Sequence, residues 1–321
     1  MLYPLKFHPI LKAKIWGGGK LKTLFGKSPA ENIGESWELS GYQGDESVVA
    51  NGFLEGKNLT ELIEIYKDEL IGKKVYEQFG AQFPLLFKFI DANENLSIQV
   101  HPDDQTATER HNSFGKTEMW YVVDAEKDAE LIIGFANNSS KEDYQKAVAE
   151  NSVEKLLQHV NVTKGDTLFI PAGLVHSICK GVVIAEIQQS SDITYRIYDY
   201  KRTDNQGKER ELHIEQALDV IDFSACQNPK IHYKDNFNEI IPLVECKYFT
   251  TNLIHLNKAF TRNYGNIDSF KVYMCSEGFC EIKHADTKTT VNKGDTLLVP
   301  ASISQIDIFP KPETTLLEIY V

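Results

Sequence analysis

Short apolar runs separated by turn residues make up most of the chain. Segments such as Ile98–His101 are rich in β-branched, aromatic or apolar residues, and most have Gly, Pro, Asn or Asp nearby. This pattern is typical of strands, so the chain is predicted to be mainly β. The predicted strands are Ile98–His101, Glu118–Val123, Glu130–Gly134, Thr167–Pro171, Val183–Gln188, Phe249–His255, Phe270–Cys275, Thr296–Pro300 and Thr315–Val321.

Helical periodicity is confined to a few segments between these strands. Asn58 and Glu61 form a capping-box pattern at the start of one segment, and Ser140 and Ser152 are candidate N-caps of two others. The polar stretch Asp204–Arg210 is predicted to be an exposed loop. The predicted helices are Leu59–Leu70, Lys141–Glu150, Val153–His159 and His213–Phe223.

One segment of the chain nearly recurs. Gly165–His176 reads G-D-T-L-F-I-P-A-G-L-V-H, and Gly294–Gln305 reads G-D-T-L-L-V-P-A-S-I-S-Q. In both copies a K-G-D turn leads into an apolar strand that ends at a proline, and the spacing in the first copy resembles the second half of the cupin signature. The duplication predicts two cupin-type antiparallel jelly-roll barrels with a small helical insertion. The predicted domains are a catalytic barrel at 1–205 with helices near 58–80 and 140–159, a helical connector at 206–236, and a degenerate barrel at 237–321.

The two copies differ where a metal could bind. A histidine at the end of the first copy is a glutamine in the second, and a glutamate upstream of the first copy aligns with a phenylalanine. Only the amino-terminal half is therefore predicted to bind a metal ion. The aligned pairs are His176 with Gln305, Tyr121 with Tyr273 and Glu118 with Phe270.

Composition and charge narrow the classes of partner. The chain has 321 residues and a net charge of −12, which argues against nucleic acid but allows an anionic metabolite to bind at a local cluster of Lys and Arg. No apolar run is long enough to span a membrane, and the first residues do not resemble a signal peptide. We therefore expect a cytoplasmic protein without a membrane partner, either a monomer or a homodimer. The five scattered cysteines suggest neither disulfides nor a cysteine zinc site.

Four polar residues are candidate metal ligands. Gln99 and His101 lie two apart on one predicted strand, so their side chains point to the same face. Glu118 begins the next predicted strand, and His176 follows the P-A-G turn. Two imidazoles, a carboxylate and an amide oxygen in one barrel would suit a divalent transition metal, and a His₂Glu set leaves a position open for catalysis.

The motifs around these residues are similar to those of a known family. Q-V-H-P-D at 99–103, G-K-T-E at 115–118, I-P-A-G-L-V-H at 170–176 and S-D-I-T-Y-R at 191–196 occur in this order. With K-I-W-G-G at 14–18 and G-E-S-W-E at 34–38, the chain resembles the short bacterial type I mannose-6-phosphate isomerases (phosphomannose isomerases). The family often has H-K-P-E where this chain has G-K-T-E, so a role of that histidine cannot be transferred.

The resemblance implies a function and a ligand set. It implies zinc-dependent interconversion of mannose 6-phosphate and fructose 6-phosphate through an enediol or enediolate. It also implies one Zn²⁺ per chain and a phosphorylated hexose as the partner. The implied zinc ligands are Gln99, His101, Glu118 and His176.

Three further residues are candidates for catalysis, and their roles are open. Arg196 matches the family's active-site arginine and could hold oxyanion charge, although without the family it could equally form a surface ion pair. Lys116 could contact the sugar or phosphate or assist proton transfer, or it could be solvated. Glu186 could be the base or a structural residue of the barrel. Lys201 and Arg202 could bind phosphate or form a solvated turn.

Two other functions are compatible with the same residues. The His and Glu ligands would also permit an iron dioxygenase. A non-catalytic sugar sensor could retain the barrel after losing activity. Trp37 and Glu38 lie in the early motif, and a packing role fits them at least as well as a catalytic one.

Overall fold

Antiparallel strands form the larger part of the regular secondary structure. The computed structural model describes residues 1–27, 30, 32–203, 206–265 and 267–321. Its strands are Leu5–His8 (β1), Ile10–Gly18 (β2), Ile33–Tyr42 (β3), Asp45–Glu46 (β4), Val48–Val49 (β5), Leu85–Ala92 (β6), Ile98–Val100 (β7), Glu118–Ala125 (β8), Glu130–Phe135 (β9), Leu157–Asn161 (β10), Thr167–Ile170 (β11), His176–Ile178 (β12), Val182–Gln189 (β13), Tyr195–Tyr198 (β14), Lys230–Ile231 (β15), Ile240–Glu245 (β16), Thr250–Leu256 (β17), Phe260–Asn263 (β18), Lys271–His284 (β19), Thr287–Asn292 (β20), Thr296–Val299 (β21) and Gln305–Tyr320 (β22).

Helices are short and lie between groups of strands. Within the described ranges, none of them is both long and apolar enough to cross a membrane. Two 3₁₀ turns lie at Gly52–Leu54 and Val153–Leu156. The α-helices are Lys20–Phe25 (α1), Leu59–Ile71 (α2), Lys73–Phe79 (α3), Asp104–His111 (α4), Lys141–Ala149 (α5) and Ile214–Leu218 (α6).

The caps of two predicted helices are confirmed. The Asn58 side chain accepts a hydrogen bond from the backbone N–H of Glu61 at 2.8 Å, and the Glu61 carboxylate accepts one from the backbone N–H of Asn58 at 3.0 Å. Ser140 forms the equivalent capping box with Asp143 at the start of α5. Each box satisfies amide groups that the first helical turn leaves without partners.

Two predicted helices are wrong in extent. In the segment 153–159 only the first residues form a 3₁₀ turn, and Ser152 makes no side-chain cap. The chain then becomes β10, because Leu157–Asn161 pairs with β9. The predicted helix 213–223 is reduced to α6, with turns after it. Residues 204 and 205 of the predicted loop Asp204–Arg210 lie outside the described residues.

Three antiparallel sheets lie in layers. Apolar side chains of the five-stranded and eight-stranded sheets share one core, which includes Ile133, Ile178, Trp120 and Ile184. The opposite face of the eight-stranded sheet packs on the nine-stranded sheet in a second core. The strand orders are β10-β9-β12-β7-β14 for the first, β15-β11-β8-β13-β6-β3-β2 with β4 on β3 for the second, and β16-β17-β22-β19-β21-β1-β5 with β18 on β22 and β20 on β19 for the third.

The sheets exchange strands across the predicted domain boundaries. β1 lies in the segment predicted to form the amino-terminal barrel, yet Leu5 pairs with Leu298 of β21 in the nine-stranded sheet. In the other direction, β15 of the predicted connector pairs with β11, where Lys230 lies opposite Leu168. The amino-terminal and carboxy-terminal parts of the chain are therefore joined by backbone hydrogen bonds as well as by packing.

The register of the repeat differs from the predicted alignment by one residue. Thr167 of the first copy pairs with Tyr121, whereas Thr296 of the second pairs with Met274. Tyr121 thus corresponds to Met274, and the alignment of Tyr121 with Tyr273 is wrong. Because the K-G-D-T turn fixes the pairing in both copies, Glu118 corresponds to Lys271 rather than to Phe270.

Candidate active site

Strand register brings the predicted ligands together between two sheets. In the five-stranded sheet Gln99 lies opposite His176 on one side and opposite Arg196 on the other. In the eight-stranded sheet Glu118 begins β8, and Gln188 of β13 lies opposite it. Because side chains alternate along a strand, these residues point into the space between the sheets.

Three of the predicted ligands converge. The nearest donor atoms of His101, Glu118 and His176 all lie within 4.8 Å of one another, and all three residues are buried. The two imidazole Nε2 atoms are 3.2 Å apart, and His101 Nε2 is 3.3 Å from Glu118 Oε1. Ligands at about 2.0–2.2 Å from one metal ion have comparable separations.

The other ring nitrogens of the histidines fix their tautomer. His101 Nδ1 is 2.8 Å from the carbonyl oxygen of Ile193, and His176 Nδ1 is 2.8 Å from that of Leu174. A carbonyl oxygen only accepts, so each Nδ1 carries the proton and each Nε2 offers a lone pair to the site. Burial, followed by the charge of Lys116, lowers the pKa of His101 to about 3, and burial also lowers that of His176. Both imidazoles are therefore neutral, as metal ligands must be.

The carboxylate of Glu118 is held in its charged form. Burial alone would raise its pKa, but the positive charge of Lys116 holds the pKa well below the usual range. Lys116 Nζ lies 2.8 Å from Glu118 Oε1, and Trp120 donates its indole N–H to Oε2 at 3.0 Å. Oε1 nevertheless accepts no well-directed hydrogen bond among the described residues. A buried, charged oxygen with such incomplete partners fits a metal ligand.

The side chain of Gln99 also lies close to the place where the donor atoms of His101, Glu118 and His176 converge. Its amide Nε2 is 3.4 Å from His176 Nε2. The two ends of an amide have the same shape, so a half-turn of the group directs the oxygen to this place. The residues present thus fit a metal ion through two nitrogen and two oxygen donors.

A cavity of about 240 Å³ opens beside these groups and carries many charges. The predicted residues Lys116, Glu186 and Arg196 all line it, together with Gln99. The other residues that line it are Lys14, Trp16, Glu35, Lys88, Ile90, Leu96, Ser97, Ile178, Asp192, Thr194 and Arg210. Five of the lining side chains are basic, which gives an acidic chain a local site for an anion.

Glu186 is connected to the proposed ligands through Trp120. The indole N–H of Trp120 lies 3.1 Å from Glu186 Oε1 as well as 3.0 Å from Glu118 Oε2. Glu186 Oε2 forms a buried ion pair with Lys88 at 3.0 Å. Burial and the negative charge of Glu118 raise the pKa of Glu186, as is common for catalytic carboxylates.

Comparisons with known proteins identify a family for the chain. Residues 4–147 match the model of a protein family described as "Phosphomannose isomerase type I, catalytic domain". The chain is 35% identical over 308 residues to mannose-6-phosphate isomerase ManA of Bacillus subtilis, covering 95% of each protein. It is 44% identical over 222 residues to the mannose-6-phosphate isomerase of Streptococcus mutans, covering 69% of this chain and 68% of the other.

A solved structure supports the same relationship. The crystal structure of the mannose 6-phosphate isomerase from Bacillus subtilis matches with a TM-score of 0.90 and 34% identity, over the whole of both chains. The chain belongs to the type I phosphomannose isomerase family. It is accordingly an enzyme of the isomerase class.

The departure of this member from the family's H-K-P-E motif has a structural counterpart. Gly115 occupies the position of the family's histidine, and a Cβ atom there would lie 2.5 Å from the backbone nitrogen of Asp104 and 2.6 Å from the carbonyl carbon of Asp103. The start of α4 thus leaves no room for a side chain at this position.

One predicted substrate residue does not reach the cavity. The side chain of Lys201 is exposed in the turn after β14 and is not among the residues that line the cavity. Arg210 lines the cavity instead, and its guanidinium is fixed on Asp199 by contacts of 2.5 and 2.7 Å. Arg202 pairs with the same carboxylate. Arg210 lay in the segment predicted only as an exposed loop.

Other residues of this member's cavity could have been found from the sequence. Lys14 and Glu35 lie in the two early motifs and form an ion pair at 3.1 Å, and Trp37 donates to Glu35 at 2.7 Å. Lys88 interrupts the apolar run L-L-F-K-F-I, and a lysine in a buried strand signals a polar interior. Glu38 belongs to another group of contacts, with Lys27 at 2.7 Å.

Proposed function

We propose that the chain is a zinc-dependent aldose–ketose isomerase that interconverts mannose 6-phosphate and fructose 6-phosphate through an enediol or enediolate. The supporting observation is that His101, Glu118 and His176 converge beside a cavity that Gln99, Lys116 and four further basic side chains line. The names of the relatives support the choice of substrate. Gln99, His101, Glu118 and His176 are the proposed ligands, with one Zn²⁺ per chain. When bound, zinc would supply Lewis-acid stabilisation of negative charge on oxygen.

The reaction moves one proton between the neighbouring carbons and another between their oxygens. Glu186 is proposed to take the carbon-bound proton and return it to the adjacent carbon, because its carboxylate lines the cavity. Lys116 is proposed to exchange the proton between the oxygens, since its ammonium reaches the ligand cluster. Arg196 would stabilise the enediolate charge while remaining protonated. Atoms and charges then balance without an oxidant or reductant.

The phosphate is assigned to the part of the cavity that Arg210 lines. Arg210 is fixed there by Asp199, and a rigid guanidinium is suited to phosphate. Lys201 would have to move from its exposed position to contribute, so we assign it at most a secondary contact.

We propose that the five-stranded and eight-stranded sheets form one cupin jelly roll, and that most of the nine-stranded sheet forms a second, degenerate one. The proposed boundaries remain 1–205, 206–236 and 237–321, with β1 and β15 crossing them.

Metal analysis combined with a coupled isomerase assay tests the function. We expect about one zinc per chain, turnover of mannose 6-phosphate, loss of turnover with a chelator and recovery with zinc. Absence of turnover by metal-loaded protein would overturn the proposal. In that case, tight sugar-phosphate binding would indicate a sensor, whereas oxygen uptake with iron would indicate a dioxygenase.

A further inference from the structure

The outer edge of β14 is held by one histidine. β14 lies at the edge of the five-stranded sheet, where it pairs with β7. On the side of β14 away from β7, the carbonyl oxygen of Arg196 accepts a hydrogen bond from the backbone N–H of His213 at 2.7 Å. The backbone N–H of Arg196 donates to His213 Nδ1 at 3.1 Å. A neighbouring strand normally supplies one N–H and one C=O to such a residue; here a ring nitrogen takes the place of the C=O.

The same short segment also holds the guanidinium of Arg196. Nη1 donates to the carbonyl oxygen of Glu211 at 2.8 Å. Nε is buried and has no partner among the described residues, so one donor of the fork is available to a ligand in the cavity. The segment 211–213 therefore fixes both ends of Arg196, at the backbone and at the head group.

The hydrogen bond from the Arg196 backbone constrains the chemistry of His213. Nδ1 can accept this hydrogen bond only when the ring nitrogen carries no proton. The titratable groups that surround the ring are Arg196 and Tyr195 of β14, Glu211, and His111 of α4. Burial, followed by the charge of Arg196, lowers the pKa of His213, which maintains the neutral ring.

We propose that His213 is a positioning residue for Arg196, whose neutral imidazole holds the β14 backbone so that the guanidinium is directed into the cavity. This inference rests on the proposed role of Arg196 in isomerisation. His213 itself does not line the cavity, so it acts through Arg196 and not on the substrate.

Two substitutions at His213 distinguish the effect of losing the hydrogen-bond acceptor from the effect of changing the side-chain volume. In His213→Asn the amide oxygen can take the place of Nδ1, whereas His213→Leu fills similar space without an acceptor. Hydrogen exchange at the Arg196 amide is the readout that does not depend on turnover. We expect at least about tenfold faster exchange in the Leu variant and near wild-type exchange in the Asn variant. Equal exchange in all three proteins would overturn the proposal.

Kinetics then measures the consequence of losing this hydrogen bond. We expect His213→Leu to lower kcat by about tenfold or more with a smaller change in KM, and His213→Asn to remain within about threefold of wild type. In an Arg196→Lys background the Leu substitution should have little further effect, because the group that it positions is gone. Fully additive effects would contradict the proposal. A wild-type protein without isomerase activity would refute the proposed function, while the exchange experiment would still decide whether His213 holds the strand.

Discussion

The two halves of the molecule use the same strand positions for different interiors. In the amino-terminal half Trp120 lies opposite Glu186 and donates to it at 3.1 Å. In the carboxy-terminal half Tyr273 lies opposite Glu318 and donates to it at 2.6 Å. Glu118, two residues before Trp120, corresponds to Lys271, two residues before Tyr273. An aromatic residue that donates to a glutamate thus occurs at the same strand positions in both halves, while the negative charge of Glu118 is replaced by the positive charge of Lys271.

The carboxylate of Glu318 is paired within the carboxy-terminal interior. Arg262 contacts both carboxylate oxygens of Glu318 at 2.7 and 3.0 Å, and Asn252 donates to it at 3.0 Å. The ammonium of Lys271 lies 4.4 Å from the ring centroid of Tyr264. In the part of the chain that the structure describes, the His–Glu–His cluster is confined to the amino-terminal half. The ammonium of Lys271 therefore lies where the amino-terminal half has Glu118, one of its candidate metal ligands.

The largest expected effect comes from giving the first half the residue of the second. His176→Gln copies Gln305 and removes a nitrogen donor from the ligand cluster. We expect loss of bound metal and at least about 10³-fold lower kcat/KM, because metal stabilisation of the transition state amounts to several kcal/mol. Metal analysis and the coupled assay measure both quantities.

The reciprocal variant, Gln305→His, is the matched control. It should bind no second metal, since Lys271 lies at the other ligand position. One zinc per chain in the His176→Gln protein, with unchanged turnover, would show that this histidine is not a ligand.

The second prediction compares the two corresponding carboxylates for catalysis. Glu186→Gln should lower kcat by about 10²–10⁴-fold, as expected for loss of a general base. Glu318→Gln should leave kcat within about twofold, because Glu318 is fully engaged in the other interior. Steady-state kinetics on both proteins measures these changes. Similar losses of activity in the two variants would contradict the different roles assigned to the two carboxylates.

The third prediction concerns the stability of the same pair. Glu318→Gln should lower the free energy of unfolding by about 3 kcal/mol, because it leaves the largely buried guanidinium of Arg262 without its anion. Urea denaturation monitored by tryptophan fluorescence measures this change. An unchanged midpoint would mean that the Arg262–Glu318 pair contributes little to the carboxy-terminal half.

The smallest expected effect depends on pH. Burial lowers the pKa of Lys271 to about 8 from its ordinary 10.5. Below pH 8 the lysine is charged in both the folded and the unfolded state, so burial of the charge destabilises the wild type. Lys271→Met should therefore be more stable at pH 7, by about 1–2 kcal/mol after allowance for solvent screening.

That advantage should shrink as the pH rises from 8 to 10.5, since the folded protein loses its proton before the unfolded chain does. Parallel unfolding curves at pH 7 and pH 10 measure it. A pH-independent difference would mean that Lys271 is not held as an unfavourable buried charge.

The convergence of the candidate ligands could be predicted because much of its geometry is local. Gln99 and His101 share a strand face, and the turn before His176 is encoded by its glycine and proline. The helices with capping boxes were also predictable, since capping depends on neighbouring residues. Glu118 was correctly placed at the start of its strand. Its predicted counterpart in the second half was wrong by one residue, because aligning Tyr121 with Tyr273 gave the wrong register.

Other features depended on tertiary contacts that the local pattern does not contain. β6 is buried on both faces between two layers, so it lacks the alternation that marks a strand, and it was missed. Leu157–Asn161 became a strand because β9 offers a partner, although its caps suggested a helix. Arg210 reached the cavity through Asp199, a contact that spacing along the chain does not reveal.

The pairing of β1 with β21 also has a consequence for how the protein assembles. Lys6 and Asp295, which form an ion pair at 2.7 Å, are 289 positions apart. Nearly the whole chain must therefore leave the ribosome before β1 can pair with β21, and until then the amides of β1 that face β21 have no strand partner. Folding of this sheet is in that sense a post-translational event.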